Sequence, residues 1–274
     1  MSERPVVVGW DDSPGAAPGV RWAARTAARL GRALRVVLVV RTGPDPRTDA
    51  FANARQLVAE VAPGLAIDNK VINGHPIEAL RDESAEAEMV VVGTRGHSRL
   101  HSTLVGSVGE GLTQHARGPV VVVRGDSDRE QTAPVVVGVD GSRTSTEAIS
   151  FAARFADAIG APVLGVAAAP DPLRSIAREI VVSEQHSTSV RQDAERFLHQ
   201  AMAGLRADYP DLVVGSKVLD IEPADALVQA AENAQLIVVG SHGRGGFAGM
   251  LLGSVSRSVL HHAPCPVAVV RPQR

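Results

Sequence analysis

Cysteine is nearly absent from this chain, and aromatic residues are scarce. The single cysteine, Cys265, excludes a disulfide framework within the chain and suits a reducing compartment. Aromatics make up only 3% of the residues, so the core has to be built from Val, Ala, Leu and Ile, which favours parallel strands against alanine-rich helices. Neither charge sign is in excess: 28 Lys and Arg stand against 30 Asp and Glu, a formal net charge of -2. No global field therefore draws in DNA or a membrane, and without a basic face or an aromatic platform a nucleic-acid role is not expected. No apolar run approaches the roughly 20 residues needed to span a bilayer. Nothing with the pattern of a secretory leader precedes Pro5-Val6-Val7-Val8, so a soluble, cytoplasmic protein is the expectation. The phosphate loop Gly-x4-Gly-Lys-Ser/Thr is missing, which excludes a P-loop NTPase. So is the Gly-x-Ser-x-Gly elbow, and no nucleophile stands poised beside a base. His261-His262-x-x-Cys265 reads as a helix end and a proline-flanked turn rather than a metal site, because adjacent helix residues face different ways.

What the chain does have is duplication. Val6-Val7-Val8-Gly9-Trp10-Asp11-Asp12-Ser13 returns as Val135-Val136-Val137-Gly138-Val139-Asp140-Gly141-Ser142. Val90-Val91-Val92-Gly93-Thr94-Arg95-Gly96 returns as Ile237-Val238-Val239-Gly240-Ser241-His242-Gly243, and both blocks run on into Gly106-Ser107 and Gly253-Ser254. Residues 6–31 align without a gap on 135–160, and 71–124 on 218–271, so the second copy carries an insertion around Pro170–Ser189. A repeat of this length means two copies of one fold. The 274 residues divide into a first domain over 1–125, a polar linker over 126–133 and a second domain over 134–274.

Short apolar runs alternate with helix-like stretches in each copy. The spacing predicts strands at 5–9, 34–40, 65–71, 89–93 and 120–123, and again at 135–139, 163–168, 212–219, 236–240 and 267–270. Helices are predicted over 16–30, 48–62, 76–87 and 107–116, and over 144–159, 187–204, 223–233 and 254–262. Valine-rich runs without polar alternation suit strands buried on both faces, and the βαβ order suits a parallel, doubly wound sheet. Gly31 and Gly160 stand where a glycine closes the first helix, and Pro76 and Pro223 where proline opens the third.

Open sheets of this kind bind ligands beyond the C-terminal strand ends, where the winding reverses. Two strand ends per copy carry special residues. Asp11 and Asp140 follow the first strand, and each reads either as a hydrogen-bond acceptor for a ribose hydroxyl or base amine, or as a turn former with Ser13 or Ser142 capping the next helix. Gly93, Gly96, Gly240 and Gly243 follow the fourth strand, where positive φ and missing side chains would let backbone N–H groups approach a ligand. Gly106-Ser107 and Gly253-Ser254 open the next helix, whose N–H groups and dipole favour an anion such as phosphate. The competing reading there is structural: glycines that end a strand and a serine that caps a helix.

The pattern Gly-x2-Gly-x9-Gly-Ser, present as Gly93, Gly96, Gly106, Ser107 and as Gly240, Gly243, Gly253, Ser254, resembles the signature of the ATP-binding universal stress proteins, here with two such domains in tandem. The resemblance covers nearly the whole chain. It implies two Rossmann-like domains of the adenine nucleotide alpha hydrolase-like type, each an α/β fold with a five-stranded parallel sheet in order 3-2-1-4-5. It implies ATP with Mg2+, adenine near the aspartate and phosphates on the glycine loop; the residues themselves single out no metal-ligating set. It also implies pairing through the last strands, 120–124 and 267–271, in a homodimer, within the chain, or both.

The expected function is that of a stress-response regulator that binds an adenine nucleotide with little or no turnover and is read by a regulatory protein partner. The alternatives are an interaction or scaffold protein of the same fold that needs no nucleotide, or an enzyme such as a slow ATPase or adenylyl transferase. Asp12 stands where the second copy has Gly141, and its extra carboxylate would oppose phosphate if it points inward. Arg95, His97, Arg99 and His101 could offset that in the first loop, and His242 and Arg244 are their counterparts in the second. Two sites of unequal affinity are expected, the C-terminal one tighter.

Overall fold

The computed structural model describes residues 4–40, 50–94, 106–125, 130, 132–170, 184–244 and 251–272, and of 184–189 the backbone alone. The elements of the first repeat are β1 (Val6–Trp10), α1 (Ala17–Leu30), β2 (Leu34–Val40), α2 (Ala52–Val61), β3 (Ile67–Asn73), α3 (Pro76–Glu83), β4 (Met89–Gly93), α4 (Ser107–His115) and β5 (Val120–Val123). The second repeat follows with β6 (Val135–Gly138), α5 (Arg143–Ile159), β7 (Val163–Ala168), α6 (Glu184–Asp208), β8 (Val214–Leu219), α7 (Pro223–Ala230), β9 (Leu236–Gly240), α8 (Ser254–His262) and β10 (Val267–Val270). Every predicted strand and helix is present, with α6 longer at both ends than the pattern suggested.

Contacts divide the chain into two units, Met1–Asp128 with Pro266–Arg274, and Arg129–Cys265. In the first, the strand order is β3-β2-β1-β4-β5, all parallel, with β10 added antiparallel to β5, so that Val267 lies opposite Val122 and Val269 opposite Val120. In the second, β8-β7-β6-β9 repeats the same parallel order. In both units the first and fourth strands of the repeat are therefore neighbours, which sets their C-terminal ends side by side at the point where the winding reverses.

Burial explains why these residues form these elements. Val6, Val7 and Val8 of β1 and Val135, Val136 and Val137 of β6 are 0% exposed, as central strands covered on both faces should be. Each such side chain contributes roughly 1.5–3 kcal/mol by leaving water. Helix α1 turns Val20, Ala23, Ala24 and Ala27 to the sheet, and α5 turns Ala148, Ala152, Ala153 and Ala156. These small residues let the helices approach closely, and the backbone then turns left-handed at Gly31 (φ 63°) and Gly160 (φ 65°) to end each helix. Pro76 and Pro223 hold the first position of α3 and α7, as predicted.

The edge strands depart from the expectation of continuous burial. Asp68, Asn69 and Lys70 of β3 are exposed, as are Ser216 and Lys217 of β8. Edge strands need polar residues to block further pairing, and that need overrides the buried-strand pattern. Arg35 of β2 donates to Asp68 (2.7 Å) and to Glu83 of α3 (3.1 Å), while Lys70 donates to Glu83 at 2.6 Å, so one ion network pins β3 to its neighbours. The Arg35 guanidinium is held above its ordinary pKa, first by the hydrogen bond to Asp68. Among the described residues no helix is long and apolar enough to cross a membrane.

Candidate functional site

The second repeat shows how the strand ends are built. Asp140 follows β6, and its Oδ1 accepts from the Ser142 N–H at 2.9 Å, an Asx turn that swings the chain into α5. Ser142 caps α5, its Oγ accepting from the Ser145 N–H at 3.2 Å. Gly141 between them is left-handed at φ 76°. The other oxygen of Asp140, Oδ2, accepts from the Arg244 N–H at 3.2 Å, so one carboxylate braces the β6–α5 turn against the loop after β9. Thr144 in the first turn of α5 donates its hydroxyl to the His242 carbonyl, a second tie across the same gap.

The signature glycines serve close approach rather than positive φ. Neither Gly93, Gly240 nor Gly243 has a positive φ, which corrects that part of the sequence expectation. A Cβ at Gly93 would stand 2.1 Å from the Gly15 carbonyl oxygen, and one at Gly240 would stand 2.8 Å from Thr144. The start of the first helix presses on the end of the fourth strand in each repeat, and only glycine leaves room. A Cβ at Gly243 would stand 2.7 Å from Oδ2 of Asp140, so that glycine lets the loop backbone reach the carboxylate.

Gly253 is different. A Cβ there would meet nothing nearer than 3.4 Å, and its backbone is ordinary extended (φ −70°, ψ 156°). It is the N-cap of α8, with no side chain capping the helix; Ser254 is the first helical residue, not the cap. The first N–H groups of α8 have no intrahelical acceptor. Two bonds hold this helix start against β9: Gly253 donates its N–H to the Ser241 carbonyl at 2.8 Å, and buried Ser256 donates its hydroxyl to the Gly240 carbonyl at 2.6 Å. Gly106 and Ser107 take the same two positions at the start of α4, again without a side-chain cap.

These pieces enclose a cavity of about 540 Å³ in the second unit. Asp140, Gly240, Gly243, Gly253 and Ser254 all line it. Val139, Val166, Ala168 and Leu227 give it an apolar wall, and the start of α8, Gly253 to Ser256, lines it as well. That volume lies within the ~300–1,000 Å³ of small-molecule sites, and the mix of apolar wall and few polar groups is their usual chemistry. Two wall residues carried no signal that singled them out as a pair in the sequence. Phe197 of α6 lines the cavity, and the Arg244 guanidinium stacks over its ring at 3.7 Å. Among the described residues no group of three or more His, Cys, Asp or Glu forms a metal-ligand cluster, and Cys265 is buried.

The first repeat shares the frame and alters the fittings. Asp11 Oδ1 accepts from the Ser13 N–H at 3.1 Å, the same Asx turn. Ser13 accepts from the Ala16 N–H at 3.2 Å, but α1 begins only at Ala17, so Ser13 is not its cap. Asp12 holds the left-handed place of Gly141 at φ 58°, and its exposed side chain accepts from Asn53 of α2 at 2.9 Å. Trp10, at the place of Val139, is buried and donates its indole N–H to the Ala50 carbonyl at 2.9 Å. Gly96, Arg95, His97, Arg99 and His101 lie outside the described residues.

The sequence model of the universal stress protein family matches residues 3–124 and again 132–271. A universal stress protein of Mycobacterium tuberculosis is 37% identical over 289 residues, covering 97% of this chain and 96% of its own length. One of Mycolicibacterium smegmatis is 36% identical over 294 residues, covering 99% and 98%. Among solved structures, a universal stress protein from Archaeoglobus fulgidus has the same fold, with a TM-score of 0.69 at 20% identity and 99% of each chain covered. The same family thus matches each repeat in turn, and its relatives align from end to end, so the chain belongs to the universal stress protein family and carries two of its domains in tandem.

Proposed function

We propose that this chain is a nucleotide-binding regulatory protein of the stress response, with little or no catalytic turnover, and that the cavity of its second repeat takes ATP with Mg2+. The observation that carries this reading is the cavity of about 540 Å³ with a side-chain-uncapped helix start in its wall and an aspartate turn beside it. The N–H groups of α8 and its dipole suit the phosphates. The apolar surface of Val139, Val166, Ala168 and Leu227 suits a purine, and the lone pairs that Asp140 keeps beyond its two backbone bonds suit a ribose hydroxyl or base amine.

Mg2+ is commonly held by substrate phosphates, water and one or two protein oxygens. The described residues fit that mode rather than a protein cage, because Asp140 and the exposed Ser254 line the cavity and can each offer an oxygen. Bound there, the cation would neutralise phosphate charge. Occupancy would bias the loop between β9 and α8, and a protein partner or a second copy of the chain would respond to that state.

Calorimetric titration of the full chain with Mg-ATP tests the proposal. Saturable binding whose tighter phase Gly253→Glu removes supports it; a folded wild type that takes up no adenine nucleotide overturns it. The first repeat should bind more weakly, because Glu110 stands in the first turn of α4 where α8 has Arg257, and a carboxylate near a helix start opposes an anion. Two equal sites would refute that ranking. A reading without nucleotide has one observation in its favour: Gly93 and Gly240 are already required by contacts inside the chain. Under that reading Gly253→Glu would leave the protein's cellular effect unchanged.

A further inference from the structure

The described cavity wall carries little positive charge to meet a polyanion, so its one arginine stands out. Among the described residues that line it, Asp140 and Asp193 are acidic, and Arg244 is the one permanent cation. Asp193 has its own partner in Arg196, at 2.7 Å. Arg244 is held in another way. Its backbone N–H bonds Asp140, and its guanidinium carbon lies over the Phe197 ring, 3.7 Å from the centroid. The stack sits directly on Gly141: a Cβ there would come within 2.6 Å of an Arg244 nitrogen and 2.8 Å of the Phe197 ring. Stacking uses the face of the guanidinium and leaves its N–H donors in the plane. Among the described residues no carboxylate takes them.

We propose that Arg244 is a specificity-determining residue of the second site, holding the ligand's anionic tail, and that Phe197 positions it for that role. The inference rests on the nucleotide reading above. It assigns to the side chain beside the signature, and to a helix beyond the repeated blocks, the selection of highly charged over uncharged ligands. The first repeat differs in sequence at the matching positions: Asp12 has a side chain where Gly141 has none, and position 97 is histidine where 244 is arginine. Phe197 needs its aromatic ring for the part: an aromatic face attracts a cation placed over it, and that contact keeps the fork ordered before the ligand arrives.

The experiment is a calorimetric series of adenosine, AMP, ADP and ATP on the full chain in constant excess Mg2+. Wild type should bind more tightly as phosphates are added. Arg244→Gln should weaken ATP by about tenfold, which is ~1.4 kcal/mol, and leave adenosine unchanged. Arg244→Lys should recover part of the loss, since lysine keeps the charge without the fork. Phe197→Leu should lower the ATP-to-adenosine affinity ratio several-fold, and Phe197→Tyr should restore it. A merely structural role for either residue would weaken all four ligands by one factor; that result, or an unchanged series in Arg244→Gln and Phe197→Leu, overturns the inference. Failure of the wild type to bind any member of the series would instead sink the nucleotide reading itself.

Discussion

Gly253→Asp separates stability from ligand binding at a single position. The backbone there is already the extended N-cap conformation, and a Cβ meets only ordinary contacts from 3.4 Å outward. An aspartate would therefore fit, and its carboxylate would accept from the second or third N–H of α8, which has no side-chain cap. Replacing a glycine cap by aspartate gains a few tenths of a kcal/mol from capping. The helix dipole adds ~0.3–1 kcal/mol, and loss of the glycine's freedom in the unfolded chain adds ~0.4–1 kcal/mol. The sum is about 1–2 kcal/mol of added stability, or roughly 2–8 °C in the unfolding midpoint. The same carboxylate would occupy the N–H groups assigned to phosphate and repel the anion. Urea denaturation and calorimetry on one preparation give both readouts: a more stable protein that has lost the tighter of its Mg-ATP sites. A destabilised variant would show that the helix start is not open to a cap, and a stabilised variant with undiminished ATP affinity would show that the ligand does not use α8.

Gly93→Ala should destabilise by ~3 kcal/mol or more in urea denaturation, because its Cβ meets backbone at 2.1 Å and backbone cannot rotate away; Gly240→Ala, with contacts at 2.8 Å, should cost ~1–3 kcal/mol. Near-neutral behaviour at both would contradict the close-approach account. Gly141→Ala should cost about 2 kcal/mol from its left-handed φ of 76° and the crowding by Phe197, and should also loosen Arg244, seen as a lower ATP-to-adenosine affinity ratio. Glu83→Gln should cost about 1 kcal/mol and less in high salt, because Glu83 is only 9% exposed at its side chain and serves both Arg35 and Lys70; equal loss at all salt concentrations would argue against an electrostatic role.

The architecture was legible because its signals are local. Valine runs mark the strands, Gly31 and Gly160 end helices by their own φ, and Pro76 and Pro223 open helices by their missing N–H. The adjacency of first and fourth strands was not in the pattern and came only with the family resemblance. β3 and β8 escaped the buried-strand reading because edge position is a property of the assembled sheet, not of the run Ile67–Asn73. The glycines were found for the wrong reason: Gly93 answers to Gly15 and Gly240 to Thr144, contacts across most of a repeat that spacing along one strand cannot reveal. Five of the expected site residues line one cavity, but Phe197 did not announce itself. It lies beside Leu198, Met202 and Leu205 of the core stripe of α6, and nothing local distinguishes a ring that faces a cavity from one that fills the interior.

Backbone amide NMR during titration with Mg-ATP reads the start of α8 residue by residue. If the phosphates sit on α8, saturable shifts are expected at the N–H groups of Ser254, Val255 and Ser256, with Asp140 and Arg244 following at the same ligand concentration. Saturable binding that leaves those amides unmoved would contradict that placement.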